Sequence, residues 1–308
     1  MNSSTQSPIQ WRLAQLSSHI VVALVALIVV GGATRVMEAG LACPDWPLCF
    51  GSLIPGKQMN LQVFLEWFHR LDAFLVGIAL SFQLGLALLW RTKLPQWIPV
   101  AYGVLVALVV LQGALGALTV LDLLPSGVVT SHLALGLTLV ACMSGVTQKL
   151  LSPNDLIAPT WWRVMSGGSL LSVFAQCLLG GRMATTWAAQ RCLSSGDGCK
   201  WLTLHRSFSM PAAFFVLTFV ITALLVGGWA RSQWVMLLAV SGMVTTQIIL
   251  GLFTLQLGLT QPSLTVAHQL LAALLIAFLA ALFCRGPSNS SSAMPFISDN
   301  NSLEACHG

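Results

Sequence analysis

Four histidines carry the clearest chemical pattern in the chain. His69 and His132 stand 63 residues apart, as do His205 and His268, and the second pair repeats the first at an offset of 136 residues. Each falls near the start of a long apolar run. An imidazole in such surroundings is costly unless it bridges helices or binds something. One histidine is readily explained as a helix-bridging hydrogen bond. Four at repeated spacing and equal depth argue for ligation. Two opposed imidazoles in a helical bundle can hold a haem between them, with both axial positions filled or nearly so. Zinc also takes histidine ligands, but two imidazoles per half without clustered carboxylates or thiols suit haem better.

The neighbours of these histidines differ between the two halves. Arg70 and Arg206 directly follow His69 and His205. Together with Arg35 at the end of the first apolar run, they are candidates for the haem propionates, which a guanidinium pairs with bidentately. The alternative is a set of interface anchors that snorkel to the headgroups. Glu66 lies one helical turn before His69 and shares its face. Its counterpart is Leu202, and Asp72 is likewise replaced by Phe208. A carboxylate at this depth is expensive unless used or paired. Glu66 is therefore the candidate acid or base, against a plain ion pair with Arg70. The first half reads as the reactive one and the second as a bis-histidine site able to pass electrons.

Of eight cysteines, Cys43/Cys49 and Cys192/Cys199 form two closely spaced pairs in outer loops. In an oxidising compartment each pair would persist as a disulfide, a loop staple over the haem pocket, with exchangeable redox thiols as the other reading. Cys142, Cys177 and Cys284 fall in or at the end of apolar runs and read as packing. Cys306 lies in the terminal tail. His19 begins the first run at the opposite end from the other four and reads as an interface residue, and His307 belongs to the tail.

These residues need helices to position them. The chain has 308 residues, of which 56% are hydrophobic and only 7% charged, and a mean hydropathy of +0.83. That is too little charge to cover a water-soluble surface. The long unbroken apolar runs exclude the alternating pattern of a membrane barrel. Lys and Arg stand singly at the ends of runs, and no nucleic-acid motif is present. The fold class expected is an all-α integral membrane protein. Its eight transmembrane helices are Leu16–Val36, Glu66–Trp90, Trp97–Val120, Gly127–Gln148, Arg163–Arg182, Thr203–Gly228, Trp234–Leu257 and Ser263–Phe283, each near the roughly 20 residues a bilayer requires.

The histidine repeat extends to other positions. Gln112, Gly116 and Thr119 match Gln247, Gly251 and Thr254, and Gly31-Gly32 matches Gly180-Gly181. Two tandem pseudo-symmetric four-helix bundles follow, in parallel orientation because four spans return the chain to its starting side. The expected organisation is a cytoplasmic segment over 1–15 and a first bundle over 16–150 with the reactive site. A cytoplasmic linker over 151–162 leads to a second bundle over 163–285 with the plain bis-histidine site, and then to a disordered Ser/Asn-rich tail over 286–308. The N-terminus shows neither a cleavable signal nor an Arg-rich amphipathic leader, so the first apolar run is expected to remain as a helix. With both termini in the cytoplasm, Arg12, Arg91, Lys93, Lys149, Arg163, Arg231 and Arg285 lie inside. Setting aside Arg35, Arg70, Arg182 and Arg206 as functional leaves only Lys57, Arg191 and Lys200 outside. This orientation satisfies the positive-inside rule and places all four histidines near the outer face.

The segment Gly31-Gly32-Ala33-Thr34-Arg35, followed by Gly40-Leu41-Ala42-Cys43-Pro44-Asp45-Trp46-Pro47-Leu48-Cys49 and by Glu66-x-x-His69-Arg70, resembles the first span, outer loop and second helix of haem A synthases. The resemblance covers Leu16 to Phe283. It implies an oxidoreductase of the bacterial cell membrane that converts the C8 methyl of haem O to the formyl of haem A for cytochrome oxidase. It also implies that His69 and His132 bracket haem O with Glu66 assisting, that His205 and His268 ligate a haem b cofactor, and that the two cysteine pairs sit in outer loops. Implied partners are an electron acceptor, haem O synthase and cytochrome oxidase assembly factors. Two other readings fit the histidines alone: a diheme b-type electron carrier, indifferent to Glu66, and a haem transporter or chaperone with one loosely held haem.

Overall fold

The computed structural model describes residues 7–152, 156–186, 192 and 199–287. The expected terminal tail beyond Pro287 and most of the segment between Cys192 and Cys199, with Arg191, lie outside the described residues. Eight helices are long and apolar enough to cross a membrane: α1 Pro8–Val36, α2 Leu61–Leu89, α3 Trp97–Leu121, α4 Ser126–Leu151, α5 Thr160–Thr185, α6 Lys200–Val226, α7 Trp234–Gln256 and α8 Pro262–Cys284. No strand occurs among the described residues, only a single bridge between Cys49 and Ser52. The chain is a multi-pass membrane protein.

Several helices begin before the expected residue. The expected starts at Leu16 and Glu66 fall inside their helices, because capping marks where a helix begins and Leu61-Gln62-Val63-Phe64-Leu65 already belongs to the α2 apolar stretch. At α1, Ser7 accepts the Gln10 N–H at 3.2 Å and Pro8 fills the first turn, where its missing N–H costs nothing. At α2, Asn60 accepts the Val63 N–H at 2.9 Å. Helix α6 runs through Pro211, which neighbouring helices can accommodate in a membrane. It breaks at Gly227 and Gly228, both at positive φ, and a short turn over Gly228–Ser232 leads into α7.

Helices α1, α2, α3 and α4 pack in sequence, and α4 closes back on α1. Helices α5, α6, α7 and α8 repeat that ring, with α8 closing on α5. The rings join through α1 on α8, α4 on α8 and α4 on α5, so α1, α4, α5 and α8 form an inner layer. Lipid is as apolar as leucine, so these contacts depend on close packing and interhelical hydrogen bonds. Ser144 Oγ donates to Ala277 O at 2.6 Å between α4 and α8, and the buried Trp162 indole donates to Leu282 O at 2.8 Å between α5 and α8. Cys284 packs on Gly145, where a Cβ would come within 2.9 Å of its sulfur. Cys177 is partly buried, but Cys142 is exposed, so packing against protein does not account for all three.

The repeat is visible in the backbone. Leu123 and Leu124 end α3 with φ of 58° and 61°, and Gly258 and Leu259 end α7 with φ of 59° and 63°. A leucine in this left-handed region is strained. In both halves it turns the side chain of Leu124 or Leu259 onto the wall of the same cavity.

At the far end of the first ring, Ser17, Gln83 and Tyr102 are completely buried. Gln83 Nε2 donates to Tyr102 Oη at 2.8 Å, to Ser17 Oγ and to Leu13 O at 3.2 Å, tying α1, α2 and α3 together. Tyr102→Phe is expected to lower stability in detergent by about 0.6 kcal/mol, the usual size of one interhelical hydrogen bond in a membrane protein. Thermal unfolding of the purified variant measures it.

Candidate functional site

One cavity of about 1770 Å³ is lined by His69, His132, His205 and His268 together. Single-ligand pockets typically span ~300–1,000 Å³, so this one has room for two large planar groups. Glu66 is the one carboxylate on its wall among the described residues, accompanied by Arg35, Arg70 and Arg206.

Each imidazole is seated by a glycine on the preceding helix. A Cβ at Gly31 would lie 2.8 Å from His69 Cε1, and one at Gly180 would lie 2.9 Å from His205 Cε1. The corresponding distances are 3.3 Å for Gly116 to His132 and 3.2 Å for Gly251 to His268. The ring therefore occupies the space a side chain would fill. It also faces the main-chain carbonyl of the residue four positions before its glycine: Leu27, Gln112, Gln176 and Gln247 respectively. At His69, His132 and His268 this approach falls short of a hydrogen bond, and each Nδ1 is buried without a partner. Such orphaned nitrogens mark imidazoles held for something other than helix bridging.

The donor set fits a porphyrin iron. The rings of His205 and His268 have centroids 6.4 Å apart and are inclined at 75°. An iron held between two imidazole nitrogens at about 2 Å each puts the ring centres about 6 Å apart. His69 and His132 line the same cavity. Among the described residues no three His, Cys, Asp or Glu side chains gather as a metal cluster.

The two pairs are buttressed differently. His205 Nδ1 hydrogen-bonds the Gln176 amide at 3.0 Å, and that amide also donates to His205 O at 2.7 Å. The residue in the same relation to His69 is Leu27, whose side chain can hold nothing. The Gln176 amide thus ties α5 to the α6 backbone at His205 and abuts its ring, a contact His69 lacks. The junction between the rings is also uneven. Gln269, next to His268, packs its amide onto Gly32 beside the His69 seat, while Leu133, next to His132, packs onto Gly181 beside the His205 seat.

Glu66 and Arg70 form a clamp on the outer loop. Glu66 is 5% exposed. Its Oε1 accepts from Arg70 Nη2 at 2.5 Å and its Oε2 accepts the Cys43 N–H at 2.8 Å. Arg70 Nη1 donates to Asp45 O and Leu48 O, both at 2.6 Å, and Nη2 donates to Cys43 O at 3.2 Å. Arg70 was expected at a propionate. Instead it spends these donors on the loop closed by the Cys43–Cys49 disulfide, whose Cα atoms are 4.8 Å apart. Spacing alone cannot show this, because the loop carbonyls come from residues 22 to 27 positions away. Within the loop, Asp45 accepts the N–H groups of Gly51 and Phe50 at 2.8 and 2.6 Å. The Gly51 hydrogen bond holds its carboxyl below the usual range.

The other expected residues fall as follows. Arg35 donates to Ala184 O at 2.8 Å, joining the end of α1 to the end of α5. Arg206 is exposed on the cavity rim, where its carbonyl accepts from Ser209 Oγ at 2.7 Å. Cys192 and Cys199 are paired, with Cα atoms 5.7 Å apart. His19 bonds Gln15 O at 2.7 Å within its own helix, away from the cavity wall. Asp72 also lies off that wall. Sequence reasoning missed Gln176, Leu124 and Leu259. The glycine seats were visible only as repeated residues without a role.

The chain matches the profile of the family described as COX15-CtaA, cytochrome oxidase assembly protein, over residues 14–280. It is 27% identical to the haem A synthase of Sphingopyxis alaskensis over 342 aligned residues, covering 92% of this chain and 94% of that protein. It is 26% identical to that of Novosphingobium aromaticivorans, covering 82% and 89%. It is 30% identical to that of Shewanella oneidensis, where the match spans about half of each protein, 54% and 55%.

The glycine seats make a direct prediction. Gly31→Ala and Gly180→Ala should each displace their own imidazole and weaken haem retention at that pair by about 10- to 100-fold, the range for losing support of a metal-binding imidazole. Gly85→Ala, where a Cβ meets nothing within 4 Å, should not. Absorption spectra of the reconstituted variants report the low-spin fraction.

Proposed function

Because the chain belongs to the COX15-CtaA family of cytochrome oxidase assembly proteins, we propose that it is a haem A synthase. In this reading it oxidises the C8 methyl of haem O to the formyl of haem A, with His69 and His132 bracketing the substrate and His205 and His268 holding haem b as cofactor. The observation that carries the assignment of the halves is the position of Glu66, on the cavity wall beside His69, where the repeat places Leu202 beside His205. The tie from Gln176 to His205 supports it further. A resident cofactor gains from a fixed ligand, and a substrate must be released.

Haem b, when bound, supplies one-electron relay toward an acceptor. The chain's own residues do the rest. His69 and His132 orient the substrate porphyrin. Leu124, Val120 and the apolar wall limit water. Glu66 is the carboxylate available on that wall to take a proton from the reacting region, and its oxygens are held in place by Arg70 and the Cys43 N–H. Arg206 on the rim is the better-placed candidate for a propionate, since Arg70 is engaged with the loop. We place the histidines at the outer face of a bacterial cell membrane with both termini in the cytoplasm, in keeping with the Lys/Arg distribution. Haem O synthase and cytochrome oxidase assembly factors are the fitting partners for a protein that receives haem O and delivers haem A.

Glu66→Gln removes the proton-transferring carboxylate while its one amide oxygen still accepts either the Cys43 N–H or Arg70, so one arm of the clamp remains. In cells that supply haem O, the wild type should carry haem b with haem O and haem A. Glu66→Gln should retain haem b and accumulate haem O or a singly oxidised product, with conversion down about 10²- to 10⁴-fold, the usual weight of a proton-transferring group. Extraction and chromatography of the haems read this out. If both proteins carry only haem b and never convert haem O, the diheme carrier takes the synthase's place.

A further inference from the structure

The two cysteine loops lead into their helices differently. His69 follows Cys49 by 20 positions, whereas His205 follows Cys199 by six. Cys199 directly precedes α6, so there the chain passes from cysteine straight into helix. The first half instead adds residues 50–60 before α2 begins at Leu61. This added segment contains no acidic residue and a single basic one, Lys57.

The segment is pinned rather than free. Cys49 and Ser52 exchange N–H to carbonyl hydrogen bonds at 3.0 and 3.2 Å. Gly56–Gln58 makes a single 3-10 turn. Between these, the Trp67 indole donates to Leu53 O at 2.6 Å. Trp67 lies about 9 Å along α2 from the helix's first residue. The segment therefore folds back beside the helix and carries Leu53 and Ile54 to the depth of Trp67. Their side chains nevertheless face away from the protein, 80% and 69% exposed. Two adjacent aliphatic side chains held open on a fixed backbone call for an apolar surrounding.

The depth of Trp67 identifies that surrounding. Helix α2 has 29 residues and is about 43 Å long, more than the ~30 Å thickness of the hydrocarbon core. Arg91 and Lys93 mark its exit from the bilayer at the far end. About 20 residues back from there, the other hydrocarbon edge falls near Arg70. Trp67 stands just beyond that edge, at the level where tryptophans gather in membrane proteins. The exposed stripe of Phe82, Ile78, Leu75, Phe68 and Phe64 runs up α2 to the same level. There Phe64 stacks on Phe68 at 5.6 Å and contacts Trp67 at 6.2 Å between ring centres. Trp67 thus joins the tip of the segment to the lipid-facing surface of the helix.

We propose that the Leu53-Ile54 tip is an interfacial anchor, seated at the boundary of headgroups and acyl chains in the leaflet at the histidine end. Lys57 lies four residues on and reaches a lipid phosphate from there. Lipid is the occupant because the tip continues a lipid-facing stripe and its one charge is of the sign that anionic headgroups attract. The same loop closes through Cys43–Cys49 and offers Arg70 the carbonyls of Cys43, Asp45 and Leu48. The anchor therefore ties the Glu66 clamp to the membrane surface as well as to α2.

A photo-crosslinking benzophenone amino acid in place of Ile54, in the full chain in its native membrane, tests this by what it captures on illumination. The adduct should be lipid, in a yield comparable with the same probe in place of Phe82. Leu53→Asp beside the probe should lower the lipid adduct severalfold, since a carboxylate is driven out of the acyl boundary. The probe at Leu53 combined with Ile54→Asp is the second variant. Capture of a second copy of the chain or of another protein overturns the proposal and makes the tip a protein-docking face. Absence of any adduct overturns it by placing the tip in water. Lipid adducts that the neighbouring aspartate leaves unchanged overturn it as well, because they report passing collisions rather than insertion.

Discussion

Each of the four imidazoles occupies space that a side chain would otherwise fill on the neighbouring helix. A polar ring inside a membrane protein cannot turn to water, so its position is set by what it packs against. Here that is a bare stretch of helix at Gly31, Gly116, Gly180 or Gly251. The seat brings the helices close and leaves the ring little freedom. Because the same device occurs four times, the two imidazole pairs open onto one shared cavity. The inner layer of α1, α4, α5 and α8 carries Gly31 and Gly180 and two of the four histidines, so the interface between the rings and the site are built from the same helices.

Duplication gives two copies of one frame, and the departures from it are where function is concentrated. The first copy has Glu66 clamped by Arg70 and the Cys43–Cys49 loop, and an imidazole facing only Leu27. The second has Leu202 and an imidazole abutted by Gln176. In the proposed reading these differences separate a site that acts on a substrate from a site that keeps its cofactor. The clamp also joins the outer loop to the helix that carries His69, since Glu66 and Arg70 flank that histidine by three residues and one.

The eight spans were legible because little besides a membrane-crossing helix calls for an apolar run of that length. The helix ends were less so. Pro8 and Leu61 begin helices through capping by Ser7 and Asn60, which an apolarity count does not register. The histidine pairs and the singular Glu66 were legible because the chain contains its own internal comparison. The engagement of Arg70 was not, since its partners are loop carbonyls and any residue offers a carbonyl. Gln176 escaped notice for a related reason: its counterpart Leu27 makes it look like a variable position. The turn that places Leu124 and Leu259 on the cavity wall depends on a left-handed backbone that no leucine announces.

Everything functional turns on whether the two imidazole pairs hold two different porphyrins independently. The most direct measurement is the identity and amount of haem in purified His132→Ala and His268→Ala proteins made in cells that supply haem O. Segregation is the expected result: His132→Ala keeps haem b and loses haem O and haem A, while His268→Ala loses haem b and still retains haem O. If either substitution removes both haems equally, or each removes the other's porphyrin, the pairs do not act as separate sites and the assignment of the halves is wrong.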